Sequence, residues 1–155
     1  MAHLHTARIL WESNTEDFTK NQYSRAHHWS FDGGQTVLAS SSPDVVRVPF
    51  SDPAGVDPEE ALVAAISSCH MLTFLYHAAK SGFSVQRYED NAEGLMAKNE
   101  EGRFAITRCT LKPLIQFMDK QPSRVELDHL HHLAHEECFI ANSVKTEIIC
   151  EPQGM

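Results

Sequence analysis

Apolar residues occupy nearly every face of the run from Ala61 to Ala79, where only Ser67, Ser68, His70, Thr73, Tyr76 and His77 interrupt a continuous small and aliphatic sequence. Asp57-Pro58-Glu59-Glu60 stands directly before it. Asp57 can cap, Pro58 suits the first helical position, and Glu60 can complete a capping box. The pattern predicts a helix from there to Ser81, with Gly82 as its stop. A helix that is apolar all round belongs at the centre of its fold. At ~1.5 Å per residue, 24 residues would span roughly 36 Å, long for a chain of this size.

The remaining periodicities are shorter. Residues 5–12 and 22–31 are rich in β-branched and aromatic side chains, and Asp32-Gly33-Gly34 supplies the positive-φ residues of a hairpin that returns through QTVLASS. Residues 42–57 hold Pro43, Pro49 and Pro53, which suits an extended connector. FSVQRYEDNAEGLMAK and RFAITRCTLKPLIQF read as two long strands of one hairpin turning at Asn99–Gly102. Pro122-Ser123 predicts a second helix to about Asn142, its stripe passing through Leu127, Leu130, Ala134 and Cys138. SVKTEIIC closes the chain as a strand. Nothing marks a linker or a repeat, so residues 1–155 read as a single α+β domain. Covering the whole circumference of the long helix takes more surface than one small domain offers, and a homodimer is expected.

Composition narrows the function. The chain has 155 residues, 42% hydrophobic, with 13 basic against 21 acidic side chains and a formal charge of −8. The basic residues are scattered, which argues against nucleic-acid binding, since phosphates call for clustered cations. No charged-then-apolar leader opens the sequence, and the polar interruptions in 61–79 keep that run below the ~18 residues of a membrane span. A cytoplasmic protein without a membrane partner is the expectation.

Four cysteines, Cys69, Cys109, Cys138 and Cys150, include no CxxC pair. Each taken alone reads as a small core hydrophobe, and Cys138, beside Glu136 and Glu137, has neighbours that oppose a thiolate. A reactive thiol calls for a positive field. Arg25, between the aromatic residues of QYSRAHHW, can supply one if it points inward, although most strand arginines face solvent. Glu59 can orient an arginine through a bidentate contact, yet an acid in a helix's first turn is also favoured by the helix dipole. His131 and His135 stand i, i+4, but His129, His131, His132 and His135 spread around their helix with no second ligand pair. A solvated face is therefore preferred to a metal site, and no metal or cofactor is expected. No phosphate-binding glycine loop or GxSxG elbow is present.

Three stretches together resemble the OsmC/Ohr family of thiol-dependent peroxidases. In DPEEALVAAISSCHM a cysteine follows a Pro-Glu pair by ten residues, from Glu59 to Cys69. HEECFIANSVKTEI resembles the second family cysteine with an asparagine four residues on, Cys138 and Asn142. YSRAHHWSFDGG places Arg25 at about the position of the family arginine. His70 after Cys69, and Phe139 where the hydroperoxide-resistance branch tends to carry proline, favour a broader OsmC-like branch.

The resemblance implies antiparallel sheets packed around two helices, with a long buried central helix, in an intertwined homodimer. It implies that Cys69 attacks an organic hydroperoxide as thiolate and becomes a sulfenic acid. Cys138 then condenses with it to an intramolecular disulfide, which a dithiol of the lipoyl type reduces. Arg25 would hold the thiolate and polarise the peroxide, and Glu59 would fix Arg25. Ten helical residues put Glu59 about 15 Å from Cys69, so Glu59 must act through Arg25 or from a partner chain, and the site is expected near a dimer interface. The alternative on the same scaffold is a ligand-binding or redox-sensing protein with little turnover. A histidine-rich metal module ranks third.

Overall fold

In the computed structural model, which describes residues 1–154, the chain divides into two compact units, Met1–Ala61 and Leu62–Met155. The first is a three-stranded antiparallel meander of β1 (Ala7–Leu10), β2 (His27–Phe31) and β3 (Thr36–Ala39). The turn from β2 to β3 is made as its sequence predicts, with Gly34 at φ 90° and its N–H bonded to the Phe31 carbonyl. Beyond β3 the proline-bearing connector folds back along the strand end. Val56 N–H bonds the Leu38 carbonyl at 2.9 Å, and Ser40 Oγ accepts the Asp52 N–H at 2.9 Å. That close return needs a glycine: a Cβ on Gly55 would lie 2.9 Å from the Ala39 carbonyl carbon.

The strand expected over residues 22–31 begins only at His27. What precedes it is an aromatic knot in which Trp11, Phe18 and Tyr23 pack with ring centroids 4.5–5.6 Å apart. Trp11 Nε1 donates to the Ser24 carbonyl at 2.8 Å. Ring packing thus replaces ladder pairing in the residues around Arg25.

Helix α1 (Pro58–Lys80) starts at the end of the first unit, where Asp57 and Glu60 cap each other's backbone N–H at 2.9 and 2.7 Å. It stops at Gly82, φ 80°, with Phe83 N–H returning to the Ala78 carbonyl at 2.9 Å. By length and composition α1 is apolar enough to cross a membrane, so its polar interruptions do not shorten the run as expected. Within the chain it buries one face, Ile66, His70, Phe74, His77 and Ala78. The opposite face leaves Leu72 and Tyr76 60% and 58% exposed. The single chain therefore covers one side of the helix only.

In the second unit each predicted long strand breaks in two. The first becomes β4 (Val85–Asp90) and β5 (Glu93–Lys98); the second becomes β6 (Phe104–Leu111) and β7 (Pro113–Phe117). β4 pairs with β7, while β5 pairs with β6, and β6 also pairs with β8 (Glu147–Cys150). The β6–β8 pair is parallel, whereas the other pairs of named strands are antiparallel. The break has a chemical cause: Asp90 accepts the Lys112 N–H at 2.6 Å and the Ser67 hydroxyl, and Pro113 has no N–H for a ladder. Helix α2 (Arg124–Glu137) opens with a reciprocal capping box between Ser123 and Glu126 and ends at Cys138, one turn short of the predicted Asn142.

Two apolar clusters hold this unit together. Phe74 and Ala78 of α1 meet Leu127, Leu130 and Ala134 of α2, with Phe83 and Phe117. Ile66 packs on Cys109 and Leu111 of β6. The stripe Leu127, Leu130, Ala134 and Cys138 is buried throughout, as its spacing predicts.

Candidate functional site

The second unit brings Cys69 and Cys138 together. Cys69 lies on the flank of α1, one residue before the inward-facing His70, and is half-buried; Cys138 caps α2 and is 1% exposed. Cys69 is close enough to Cys138 to act on its thiol, and no disulfide joins them. Burial pushes the Cys138 thiol up to about 11, and the neighbouring Cys69 adds to the shift.

Local structure holds both groups in place. Thr73 Oγ1 donates to the Cys69 carbonyl at 2.9 Å, one turn along the helix. After Cys138 the chain makes a tight turn. Ala141 N–H donates to the Cys138 sulfur at 3.3 Å, Asn142 N–H to the Cys138 carbonyl at 3.0 Å, and Asn142 Nδ2 to the Glu136 carbonyl at 2.9 Å. Asn142 therefore ties off the free carbonyls at the end of α2 and fixes where Cys138 points.

Arg25 and Glu59 fall in the first unit. Arg25 lies outside the strand expected to carry it, and its guanidinium is 3.7 Å from the centroid of the Tyr23 ring. It donates to Asn21 Oδ1 at 2.6 Å and to the Tyr23 carbonyl. Glu59 occupies the second position of α1, half-buried. Among the described residues no ion pair joins Arg25 to Glu59 within the chain.

A second polar group, which single residues in the sequence do not announce, lies inside the second unit. His70 Nε2 and His131 Nδ1 are 3.0 Å apart with their rings nearly parallel, and the Cys150 sulfur is 3.9 Å from His70 Nε2. Burial, then the neighbouring charge of His135, takes His70 down to about 4; burial, then His70 itself, takes His131 down to about 4. Both imidazoles are neutral at pH 7. Burial, then Asp90, pushes Cys150 up to about 12. His129, His132 and His135 are exposed, in accord with the solvated face expected of them, and His131 is the exception. The one signal for it is positional: His70 shares the inward stripe of α1 with Ile66 and Phe74, and His131 follows Leu130 and precedes Ala134.

Residues 51–152 match the OsmC-like protein family. A solved OsmC-like protein of unknown function from Vibrio cholerae is 52% identical over 98% of this chain and all of its own, with a TM-score of 0.95. An organic hydroperoxide resistance protein from Elizabethkingia anophelis superposes at a TM-score of 0.67 with 16% identity, covering 98% of this chain and 96% of that one. The corresponding Bacillus subtilis protein gives 0.60 with 17% identity, over 96% and 98%. The last two likenesses concern the fold. No curated protein matches the sequence.

Proposed function

The chain belongs to the OsmC-like protein family, a family with redox and peroxide-related members, and on that premise we propose that it is a thiol-dependent peroxidase of organic hydroperoxides. The observation that carries the reading is that a half-buried thiol, Cys69, neighbours a buried thiol, Cys138, whose protonated form burial favours. The Cys69 thiolate attacks the distal oxygen of ROOH; the O–O bond breaks, ROH leaves with a proton, and Cys69 becomes a sulfenic acid. Cys138 then gives up its proton, its sulfur displaces hydroxide from the sulfenic acid, and a disulfide and water result. An external dithiol restores both thiols by exchange and leaves as its own disulfide.

The cysteine order follows from exposure. Cys69 can meet a substrate from outside, whereas Cys138 has its protonated state favoured and waits for the sulfenic acid. Arg25 is assigned the field that holds the thiolate and Glu59 the orientation of Arg25. Both assignments rest on the family resemblance, and Arg25→Ala should lower kcat/KM on the order of 100-fold if its donor acts in the transition state. The exposed Leu72 and Tyr76 on the outer face of α1 support a second copy as its cover.

The test is consumption of an organic hydroperoxide with excess dithiol, comparing the protein with Cys69→Ser and Cys138→Ser. The first variant should lose turnover, and the second should accumulate a trappable sulfenic acid. Undiminished turnover in Cys69→Ser sinks the reading. A single stoichiometric oxidation without turnover would instead favour redox sensing.

A further inference from the structure

The trio behind Cys69 has the make-up of a ligand set. The geometry points to His70 Nε2, His131 Nδ1 and Cys150 Sγ as a three-donor site for a divalent cation of the Zn²⁺ class. Their donor atoms lie within 4.8 Å of one another. Ions of this class bind imidazole nitrogen at about 2.0–2.1 Å and thiolate at about 2.3 Å, so tetrahedral donors sit about 3.3 Å (N···N) and about 3.6 Å (N···S) apart. The observed 3.0 and 3.9 Å depart from these by a few tenths of an ångström. Two nitrogens and one sulfur suit a borderline ion better than a hard one such as Mg²⁺.

Packing alone explains the group poorly. His70 and His131 are 2% and 5% exposed, and among the described residues their side-chain hydrogen bonds are to each other and to the Cys150 sulfur. The Tyr88 hydroxyl is buried without a partner among the described residues, as is His131 Nε2, the ring nitrogen that faces away from the shared donors. Tyr88 belongs to the same neighbourhood, since the Phe74 ring lies 5.6 Å from its ring and 4.5 Å from that of His131.

Charge balance supports the same occupant. The imidazoles are already neutral, as ligation requires. Binding takes the S–H proton from Cys150 and releases it to solvent, and each histidine keeps its single hydrogen on the ring nitrogen facing away from the ion. A divalent ion and one thiolate leave one positive charge. Asp90, whose field reaches His70 and Cys150, supplies one negative charge in return. The site shares no residue with the Cys69–Cys138 pair.

The experiment uses the full chain with Cys69→Ser and Cys138→Ser, so that only Cys109 and Cys150 remain as thiols. Cd²⁺ titration should then give a thiolate-to-metal charge-transfer band saturating at one ion per chain, and Zn²⁺ should raise the melting temperature. Adding Cys150→Ser should abolish the band. His131→Asn, which keeps a polar side chain of similar length, should weaken Zn²⁺ at least tenfold in competition with a chromophoric chelator. No band in the parent, or a band that survives Cys150→Ser, overturns the assignment. Neither outcome bears on peroxide turnover.

Discussion

Replace Cys69 with alanine and ask how quickly the three remaining thiols react with iodoacetamide at pH 8. Alkylation consumes thiolate, so the ionised fraction scales the rate. A thiol at the ordinary value of 9.0 is about 10% ionised at that pH. Cys109 and Cys138, both pushed up to about 11, are about 0.1% ionised, and Cys150, at about 12, about 0.01%. Burial is the largest cause in all three cases and hinders the reagent as well. Folded Cys69→Ala should therefore be alkylated at least ~100-fold more slowly than an ordinary cysteine, with the rate rising tenfold per pH unit up to 10. The unmodified protein should take up one label per chain in a fast phase, mapped to Cys69 by intact mass and peptide analysis. Part of the Cys138 shift comes from Cys69 itself, so alanine eases Cys138 slightly without removing the dominant burial. A fast phase that persists in Cys69→Ala and maps to Cys138 would refute the cysteine order and the peroxidase mechanism built on it.

The buried histidine pair makes stability fall on acidification. His70 and His131 stay neutral in the fold down to about pH 4, while in the unfolded chain they take protons near 6.5, so the unfolded state binds more protons throughout that window. Stability is fully present above about 6.5 and is lost toward 4 at up to about 2.7 kcal/mol per pH unit for the two sites. Melting curves between pH 7 and 5 read this, and a His131→Phe variant should flatten the slope; equal slopes in the two proteins contradict it. At the sheet–helix contact, a Cβ on Gly94 would lie 2.5 Å from Val63 Cγ2. Gly94→Ala should cost about 1–3 kcal/mol, or several degrees of melting temperature at about 2–4 °C per kcal/mol. Adding Val63→Ala should recover part of it, and an unchanged melting temperature for Gly94→Ala would show that α1 moves freely off β5.

Local signals in the sequence carried the elements well where a specific side chain did the work. Asp57 and Glu60 make the cap they predict, Gly82 ends α1, and the stripe through Leu127 to Cys138 is buried. The two long strands were another matter. Their alternation is continuous, and the break depends on Asp90 reaching a backbone N–H 22 positions away, which periodicity does not encode. The face of α1 could not be assigned either, because nearly every position is apolar; only packing shows that Ile66, His70, Phe74 and Ala78 turn inward. Cys69 and Cys138 are singled out only by their resemblance to a known pattern, since each thiol alone reads as packing. The histidine–cysteine trio joins positions separated by 61 and 80 residues, and no local spacing connects them.

Side-chain crossings between α1 and α2 explain why the chemistry gathers there. His70 meets His131, His77 Nε2 meets Glu137 Oε2 at 2.9 Å, and Cys69 neighbours Cys138. Phe74 fills the space between them, its ring 4.5 Å from that of His131. Interiors packed at this density transmit a displacement instead of absorbing it, so the apposition of the two thiols is a property of the helix pair as a whole. The proposed condensation of a Cys69 sulfenic acid with Cys138 then asks for an approach of two neighbouring sulfurs, with Cys138 released from the 3.3 Å bond of Ala141 N–H. Removing the Phe74 ring should disturb both sites at once. The cavity would cost about 3–5 kcal/mol, and in Phe74→Ala disulfide formation by added peroxide should slow while the His70–His131 contact loosens, visible together as slower loss of free thiol and higher imidazole pKa values by NMR. If the thiols condensed at the original rate in a variant whose histidine titration had moved, the two sites would be independent and the helix pair would not be the common support.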